Sequence, residues 1–413
     1  MSGETFVVVG AGQAGGYAVK TLREEGFDGR IILLGNEVHS PYERPPLSKG
    51  VLTGKVMPAE LTLLSAEALV ELDVESFTNC NARRIFLDLQ VVETDLGHEI
   101  YYDKLLLSTG GRPFLPSFPG SESRDVLCLR TLDDAMRIKQ RLIGPLKRIV
   151  VVGAGWIGLE IAATARTLGH EVTVIEMTER VCSRSMMPEV SEQLAQLHES
   201  KGVTIRLRTQ ISAIEPGVNA GSVVTLATGE TLLADTVILG VGLIANDELA
   251  RDAGLVCNRG VLVNASCQTS DPHVFAAGDV AVIQYQNPVM QCRLESWQNA
   301  QDQGIASARA MLGQKVLYQP IPLLWSEQYD TLIQIAGHPQ LAHKTVVRSI
   351  ATPMSVMIFG LNTHNQVVAV VGLNAGRYYR NARKLVESSA QVDPEALSNS
   401  SVSLNDAVLT VQT

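Results

Sequence analysis

The chain has 413 residues, 46% of them hydrophobic, and this length predicts two or three domains because one ordinary core does not organise so long a chain. Its net charge of −9 argues against a dedicated nucleic-acid-binding protein, which needs a basic surface to neutralise phosphates. The sequence has no apolar run of the roughly 20 residues that span a bilayer, so we expect a cytoplasmic protein. Its six cysteines form no C-x-x-C pair, so we expect free thiols and no metal site.

The first predicted elements form a strand–helix–strand unit. Residues 5–9 are an apolar, β-branched run typical of a strand buried in a parallel sheet, residues 14–25 have helical spacing, and residues 30–34 predict a second strand. The sequence Gly10-Ala11-Gly12-Gln13-Ala14-Gly15 joins the first strand to the helix. We call it the first glycine motif. Its G-x-G-x-x-G spacing allows a tight turn and brings the backbone close to a pyrophosphate at the helix N-terminus.

The same order of elements recurs in the middle of the chain. A predicted strand at 148–152, a helix at 153–168 and a strand at 171–176 surround Gly153-Ala154-Gly155-Trp156-Ile157-Gly158, the central glycine motif. One such motif is a weak signal because glycine turns also serve packing alone. Two copies in the same setting indicate two dinucleotide sites.

The residues after the second strand of each unit differ. Glu176 closes the central strand, where a carboxylate accepts a hydrogen bond from a ribose 2′-OH and repels a 2′-phosphate. NADH is therefore favoured over NADPH, although Arg180 and Arg184 follow closely. In the first strand–helix–strand unit Gly35 occupies the corresponding place, so the ribose contact is assigned to Asn36 and Glu37, which follow it.

The remaining pattern predicts an α/β fold with two Rossmann-like domains with parallel sheets plus a C-terminal α+β domain. Hairpin strands are expected around 85–94, and antiparallel strands at 355–359 and 366–371. The predicted domains are a discontinuous FAD-binding domain at 1–112 and 246–320, an NAD-binding domain at 113–245 and a C-terminal domain at 321–413.

Several longer motifs resemble one family. The chain looks like the NADH-dependent ferredoxin reductases of glutathione-reductase-like fold, which serve aromatic-ring dioxygenases and cytochrome P450 systems. The resemblance covers residues 6 to about 384. Its motifs are Tyr42-Glu43-Arg44-Pro45-Pro46-Leu47-Ser48-Lys49, Thr109-Gly110-Gly111-Arg112-Pro113, Leu129-Arg130-Thr131, Phe275-Ala276-Ala277-Gly278-Asp279, Glu295-Ser296-Trp297-Gln298-Asn299-Ala300 and Trp325-Ser326-Glu327-Gln328-Tyr329.

The resemblance implies FAD and NAD(H) as cofactors. It places Lys49 beside the flavin N5 with Glu160 as its ion-pair partner, where a cation favours the negative charge gained on reduction. The alternative is that Lys49 is an ordinary solvated lysine with no role at the flavin. Many relatives carry Asp where this chain has Asn36. The residues expected around FAD are Gly10, Gly12, Ala14, Gly15, Asn36, Glu37, Arg44, Lys49, Ala82, Thr109, Gly110, Arg130, Asp279 and Trp297, and those around NAD are Gly153, Gly155, Ile157, Gly158, Glu176, Arg184 and Gly242.

The cysteine pattern bears on the electron acceptor. Disulfide reductases of this fold carry redox cysteines in the stretch corresponding to 40–48, where this chain has none. Electrons are therefore expected to leave the flavin directly, to a one-electron acceptor such as a [2Fe-2S] ferredoxin. Arg377, Arg380, Arg383 and Lys384 recur at helical spacing and are a possible dock for an acidic ferredoxin. An ordinary solvated helix face explains them equally well.

Other functions of the same fold remain open at this point. They are an NADH-dependent rubredoxin or nitrite-type reductase, an NADH oxidase, and a redox-sensing protein of the apoptosis-inducing-factor type. Trp297 and Trp325 are expected near the flavin, either for electron transfer or for packing. A monomer and a homodimer are both compatible with the sequence.

Overall fold

The computed structural model describes residues 3–123, 125–217, 221–286, 288–350 and 355–409. The chain divides into two compact units, each assembled from three separate stretches of sequence. The first unit comprises Met1–Pro46, Val56–Arg112 and Leu243–Pro320, and the second comprises Leu47–Lys55, Pro113–Gly242 and Ile321–Thr413.

A five-stranded parallel sheet forms the centre of the first unit. Its strands are apolar runs, and four of the five residues of Thr5–Val9 are buried. Thr5–Val9 lies in the middle and pairs with Arg30–Leu34 on one side and Lys104–Leu107 on the other. The outer strands are Val74–Phe77 and Val274–Ala276.

Two helices pack together in the first unit, Gln13–Glu24 and Trp297–Met311. Both are rich in small residues, and their buried alanines join the aliphatic side chains of the parallel sheet in one cluster. A Cβ on Gly304 would lie 2.4 Å from the carbonyl oxygen of Ala14, so glycine is required for this close approach. The contact holds the helix of the first glycine motif against a second helix.

The opposite side of the same sheet packs against smaller elements of the first unit. Ile85 and Val92 of an antiparallel sheet join Val7, Ile32 and Leu34 in a second cluster, and each fully buried side chain of this kind contributes about 1.5–3 kcal/mol. The smaller elements of this unit are the strands Ala82–Phe86, Val91–Thr94, Glu99–Tyr101, Val261–Val263, Ala281–Gln286, Val289–Arg293 and Leu243–Ala245 and the helices Pro58–Leu61, Ala66–Glu71, Glu248–Asp252 and Gly278–Val280.

A second five-stranded parallel sheet belongs to the second unit. Arg148–Val152 lies in its middle and pairs with Glu171–Ile175 and Thr236–Leu239. The outer strands are Thr204–Arg206 and Val126–Cys128. The associated elements are the helices Leu132–Leu142, Trp156–Thr167 and Pro188–Ser200 and the antiparallel strands Ile211–Pro216, Ser222–Leu226 and Thr231–Ala234.

The same unit contains a five-stranded antiparallel sheet from the C-terminal part of the chain. Helix Gly376–Glu387 buries Tyr379, Ala382, Leu385 and Val386 in the core cluster of this part. The strands, in sheet order, are Leu323–Gln328, Thr331–Gly337, Val367–Leu373, Val356–Leu361 and Lys344–Ser349, and the short helices of the unit are Gly50–Thr53, Pro339–Leu341 and Pro394–Ser398. Segments Pro45–Ser48 and Gly111–Pro113 lie where the chain passes from one unit to the other.

The predicted strands at 5–9, 30–34 and 148–152 are confirmed residue for residue, and the antiparallel strands near 355–371 are confirmed as Val356–Leu361 and Val367–Leu373. The central helix begins at Trp156 and not at 153, because Gly155 is an extended N-cap residue. The division into three domains stays a prediction. Among the described residues, no helix is both long enough and apolar enough to cross a membrane.

Candidate nucleotide sites and the buried lysine–glutamate pair

The first glycine motif has one glycine that faces open space and two that are fixed by packing. Gly10 has a φ of 112°, and a Cβ there would lie 2.2 Å from the carbonyl oxygen of Ser108. A Cβ on Gly15 would lie 2.0 Å from the carbonyl oxygen of Gly10. At Gly12 the nearest atom would be Arg44 Nη2, 4.0 Å away. The protein therefore leaves room at Gly12, beside the N-terminus of helix Gln13–Glu24, where an anion is favoured.

The central glycine motif repeats this arrangement within the second unit. Gly153 has a φ of 97°, and its Cβ would lie 2.5 Å from the carbonyl oxygen of Gly240. A Cβ on Gly158 would lie 2.1 Å from the carbonyl oxygen of Gly153, whereas the nearest atom to a Cβ on Gly155 is 3.9 Å away. The middle glycine again has free space in front of it. Ile157, two residues after Gly155, is an exposed apolar side chain in the first turn of helix Trp156–Thr167.

Glu176 lies against the central glycine motif. Its Oε2 accepts a hydrogen bond of 2.8 Å from the amide of Ala154, and its Oε1 accepts from the amide and the hydroxyl of Thr178, each at 2.8 Å. A carboxylate has about four acceptor positions, so about one remains for a ligand hydroxyl. The carboxylate is thus held by backbone amides at the end of the strand Glu171–Ile175.

The arginines after Glu176 have separate partners. The guanidinium of Arg180 donates to the carbonyl oxygens of Met186 and Ser183 and to the hydroxyl of Ser191. Arg184 donates to the carbonyl oxygen of Val241 at 3.2 Å, next to Gly242. Arg180 is therefore bonded to the segment that follows it and to helix Pro188–Ser200, whereas the contact of Arg184 is exposed.

Glu37 of the first unit is engaged by side chains. Its Oε1 accepts from Arg44 Nη2 at 2.6 Å and its Oε2 from the hydroxyl of Tyr42 at 2.7 Å. Arg44 Nη1 donates to the same hydroxyl at 2.9 Å. Asn36 is exposed. Glu37 therefore orients Arg44, whose guanidinium lies in front of Gly12, while the amide of Asn36 faces solvent.

Buried polar atoms without partners mark the neighbourhood of the first glycine motif. Among the described residues, these include both amide atoms of Gln13, the indole nitrogen of Trp297, the Oε1 of Gln301 and the Nε2 of Gln303. Buried polar groups are normally hydrogen-bonded, so a cluster of unsatisfied ones indicates a missing ligand or water. These atoms and the space at Gly12 fit a polar dinucleotide such as FAD.

The sequence analysis predicted Trp297 and missed the glutamines. Gln13 stands at a variable position of the glycine motif, and Gln301 and Gln303 lie on the otherwise Ala-rich helix Trp297–Met311. Polar amides on a helix of small residues are a signal that could have identified them. Gln303 Oε1 accepts from the amide of Gly278 at 3.0 Å, which ties this helix to the turn that carries Asp279.

Among the other residues predicted to line FAD, Thr109, Gly110 and Ala82 belong to the first unit and Arg130 to the second. Thr109 Oγ1 donates to the carbonyl oxygen of Asn246 at 2.7 Å, so this hydroxyl serves the protein itself. Gly110 has a φ of 63° and continues the same turn. Ala82 is a half-buried residue that begins the strand Ala82–Phe86. The backbone amide of Arg130 donates to the side chain of Asp134 at 3.1 Å, just before helix Leu132–Leu142.

Lys49 and Glu160 form an ion pair within the second unit. Lys49 Nζ lies 2.8 Å from Glu160 Oε2, and the two side chains are 17% and 5% exposed. The hydroxyl of Ser48 donates to the same Oε2, and the hydroxyl of Ser326 donates to Oε1 at 2.6 Å. Lys49 Nζ also lies 5.1 Å from the ring centroid of Trp325, within cation–π range. The ammonium is thus held at a fixed place by a carboxylate that has three donors.

All six cysteines are free thiols. Burial raises the pKa of every one of them, to about 12 for Cys182 and Cys267 and to about 11 for Cys128. Thiols with such pKa values are protonated at neutral pH and are poor nucleophiles. None is therefore suited to a flavin–thiol redox reaction.

The predicted basic residues near the C-terminus lie on helix Gly376–Glu387. Arg377, Arg380 and Lys384 are exposed, whereas Arg383 pairs with Glu387 at 2.7 Å. The spacing of the three exposed residues places them on one side of the helix. The unpaired positive charge is therefore smaller than the sequence suggests.

Comparison with known proteins places these features in a family. Residues 4–304 match the pyridine nucleotide-disulphide oxidoreductase model, and residues 323–408 match a reductase C-terminal model. The chain belongs to the pyridine nucleotide-disulphide oxidoreductase family. The predicted family resemblance, the α/β fold class and the assignment as an oxidoreductase are thereby confirmed, as are FAD and NAD(H) as its cofactors.

Individual relatives are similar over almost their full length. One is the 3-phenylpropionate/cinnamic acid dioxygenase ferredoxin–NAD(+) reductase component of Photorhabdus laumondii, 39% identical over 95% of this chain and 98% of the relative. Another is the anthranilate 1,2-dioxygenase system ferredoxin–NAD(+) reductase component of Burkholderia cepacia, 35% identical over 98% and 99%. The crystal structure of a covalent putidaredoxin reductase–putidaredoxin complex matches with a TM-score of 0.93 and 34% identity, covering 98% of each chain.

Proposed function

We propose that this chain is an NADH-dependent ferredoxin reductase that supplies electrons to a ring-hydroxylating dioxygenase or cytochrome P450. The observation that carries the proposal is the combination of two open glycine motifs with six thiols of raised pKa. Two nucleotides are held, and no thiol is available to receive electrons. The ferredoxin reductase components named above are similar over almost the whole chain, which supports a protein acceptor.

The first unit is proposed to hold FAD. Bound FAD accepts a hydride from NADH and gives up electrons singly, which nicotinamide cannot do. Gly12 and the helix N-terminus would receive the pyrophosphate, Arg44 would supply positive charge there, and Asn36 would bond a ribose. The other residues proposed to line the cofactor are Gly10, Gly15, Ala14, Glu37, Ala82, Thr109, Gly110, Arg130, Asp279 and Trp297.

The central glycine motif is proposed to hold NADH. Glu176 keeps about one free acceptor position, which a ribose 2′-OH can fill and a 2′-phosphate cannot. Gly155 would leave room for the pyrophosphate, Gly153 and Gly158 would shape the turn around it, and Ile157, Arg184 and Gly242 would border the nucleotide. The committed hydrogen bonds of Arg180 support NADH further because this arginine is not free to bind a 2′-phosphate.

Lys49 is proposed to place its positive charge toward the flavin, as the family resemblance implies. Glu160 fixes the ammonium, and Ser48 and Ser326 fix Glu160. Replacing Lys49 by Met should slow flavin reduction by NADH about tenfold to hundredfold, since hydrogen bonds of charged groups are worth about 1.5–3 kcal/mol. Stopped-flow absorbance measures this rate, and Lys55→Met, at an exposed lysine of the same stretch, is the matched control. Equal rates in both variants would remove Lys49 from this role.

The acceptor is proposed to be an acidic [2Fe-2S] ferredoxin that docks on helix Gly376–Glu387. Arg377→Glu combined with Arg380→Glu should raise the KM for ferredoxin about threefold to tenfold and leave NADH-to-ferricyanide activity unchanged. The effect should shrink with added salt because exposed charges are screened. Arg259→Glu with Lys315→Glu changes the net charge equally at exposed sites elsewhere. A ferredoxin KM that is the same in both double variants contradicts this dock.

The decisive experiment is anaerobic stopped-flow reduction of the purified flavoprotein with NADH or NADPH, followed by mixing in separate runs with a [2Fe-2S] ferredoxin, with a rubredoxin or with oxygenated buffer. We expect bound FAD, faster reduction by NADH and rapid electron transfer to the ferredoxin. Transfer only to oxygen or rubredoxin would assign the chain to the other reductases of this fold, and a purified protein without flavin would refute the proposal. The cytoplasmic location and the monomeric or homodimeric state stay predictions.

A further inference from the structure

A line of buried polar side chains leads away from Glu160 within the second unit. Ser326 Oγ donates to Glu160 Oε1 at 2.6 Å, Gln328 Nε2 donates to Ser326 Oγ at 3.1 Å, and Gln328 Oε1 lies 2.8 Å from His198 Nε2. The hydroxyl of Tyr329 lies 3.1 Å from His198 Nδ1. Ser326, Gln328 and His198 are fully buried, so these bonds are shielded from water. We call Ser326, Gln328, His198 and Tyr329 the buried relay.

Two elements bring these residues together. Ser326 and Gln328 are two residues apart on strand Leu323–Gln328, so their side chains share one face of the sheet. His198 lies in the last turn of helix Pro188–Ser200. Tyr329 follows the strand with a φ of 58°, and its ring contacts that of His198 with centroids 5.2 Å apart.

The charge of Glu160 fixes the direction of every bond in the buried relay. A carboxylate only accepts, so the single hydroxyl proton of Ser326 points to Glu160. Ser326 Oγ must then accept from the amide nitrogen of Gln328, which leaves the amide oxygen facing His198. His198 therefore carries its proton on Nε2, and its bare Nδ1 accepts from Tyr329. Glu160 thus determines which nitrogen of His198 carries the proton, although the two side chains are joined only through Ser326 and Gln328.

His198 is suited to remain neutral in this position. Burial lowers its pKa, and the hydrogen bond to Gln328 only partly opposes this effect. An imidazolium would carry protons on both nitrogens, so the hydroxyl of Tyr329 would have to accept a hydrogen bond from Nδ1 instead of donating one. The buried relay therefore keeps one arrangement through neutral pH.

The amide of Gln328 decides what the buried relay can do. A proton cannot pass through a primary amide without forming its high-energy imidic acid, so the line is poorly suited to conducting protons. A chain of donors that all point toward one carboxylate instead holds that carboxylate in place. Besides Lys49 itself, Ser48 and Ser326 donate to Glu160 and keep its carboxylate aligned with Lys49. Ser326 in turn accepts from Gln328, which is bonded to His198.

We propose that His198 and Gln328 are positioning residues that orient Ser326 and Glu160, and thereby hold Lys49 for flavin reduction by NADH. This inference rests on the proposed function. It assigns a role to a histidine that neither glycine motif nor the ion pair includes.

Nuclear magnetic resonance tests the arrangement on the unmodified protein. With ¹⁵N-histidine labelling, His198 should show the neutral form protonated at Nε2, from neutral pH to below its ordinary pKa of about 6.5. Comparison with His198→Phe assigns its signals among the eight histidines of the chain. A proton on Nδ1, or an imidazolium at neutral pH, would overturn the proposal without any functional assay.

Variants test the consequence. His198→Phe and Gln328→Leu should each slow flavin reduction by NADH about threefold to tenfold and shift the flavin reduction potential, while FAD content stays that of the wild type. His198→Gln, whose amide can still donate to Gln328, should recover most of the rate. His338→Phe is the matched control because His338 is another histidine of this unit whose pKa burial lowers, outside the buried relay.

The outcomes separate the two proposals. If folded, FAD-containing His198→Phe and Gln328→Leu match the wild type in rate and potential, the positioning role is wrong. If the wild-type flavin is not reduced by NADH, the proposed function fails, whereas the tautomer of His198 still reports on the buried relay. If the variants do not fold, the resonance measurement on the unmodified protein decides the matter.

Discussion

The two glycine motifs have the same backbone geometry and different carboxylates. In both, a carbonyl oxygen within 2.5 Å of the Cβ position rules out a side chain at the first and third glycines, whereas a Cβ on the middle glycine would meet no protein atom closer than 3.9 Å. Glu176 is bonded to backbone amides and keeps an acceptor position, whereas Glu37 is engaged by Arg44 and Tyr42. The glycines therefore define where a phosphate can sit. The side chain after the second strand defines how the rest of a nucleotide is recognised.

The largest expected effect comes from the middle glycines, which touch no protein atom closely. Gly12→Ala should fold, bind FAD about tenfold to hundredfold more weakly and therefore lose most of it during purification. Gly155→Ala should keep FAD, and its KM for NADH should rise by about the same factor. Flavin absorbance of the purified variants and steady-state kinetics with ferricyanide measure the two effects.

Gly10→Ala serves as the control for this pair. Its Cβ would lie 2.2 Å from a backbone oxygen, so we expect it to prevent folding and not merely cofactor binding. If Gly12→Ala instead retained FAD and Gly155→Ala lost it, the assignment of the two nucleotides to the two motifs would have to be exchanged.

Both glycine motifs and their strands could be predicted because their requirements are local. Buried parallel strands need apolar runs, and the tight turn needs glycine where φ is positive and a carbonyl oxygen lies at the Cβ position, as at Gly10 and Gly153. The strands Thr5–Val9 and Arg148–Val152 match their predicted bounds for this reason. The Lys49–Glu160 pair is also present as expected, but only the family resemblance, and no local pattern, joined residues so distant in sequence.

The partners of polar side chains could not be read from the sequence. Arg180 looked able to approach a nucleotide and is held by its own loop, and Arg383 looked like free charge and pairs with Glu387. Gln328 and His198 are 130 residues apart, so no spacing rule links them. Such contacts depend on how separate elements pack, which a periodic pattern does not encode.

The next effect in size concerns Glu176. Glu176→Ala should narrow the ratio of kcat/KM for NADH over NADPH by about tenfold, because a charge-assisted hydrogen bond to the 2′-OH and the repulsion of a 2′-phosphate are both lost. Glu179→Ala, at an exposed glutamate of the same loop, is the control. Steady-state kinetics with each nucleotide give the ratio, and an unchanged ratio in Glu176→Ala would remove this residue from cofactor selection.

The smallest expected effect concerns Glu37, the counterpart of Glu176 in the first unit. Its two oxygens already accept from Arg44 and Tyr42, so Glu37→Gln should weaken FAD binding less than about threefold and cost about 1 kcal/mol of stability through the lost ion pair. Asn36→Asp should act in the opposite direction and tighten FAD binding, because a charged acceptor bonds a ribose hydroxyl more strongly than an amide does. Fluorescence titration of the apoprotein with FAD measures both variants. A loss in Glu37→Gln as large as that of Gly12→Ala would mean that Glu37, like Glu176, contacts its nucleotide directly.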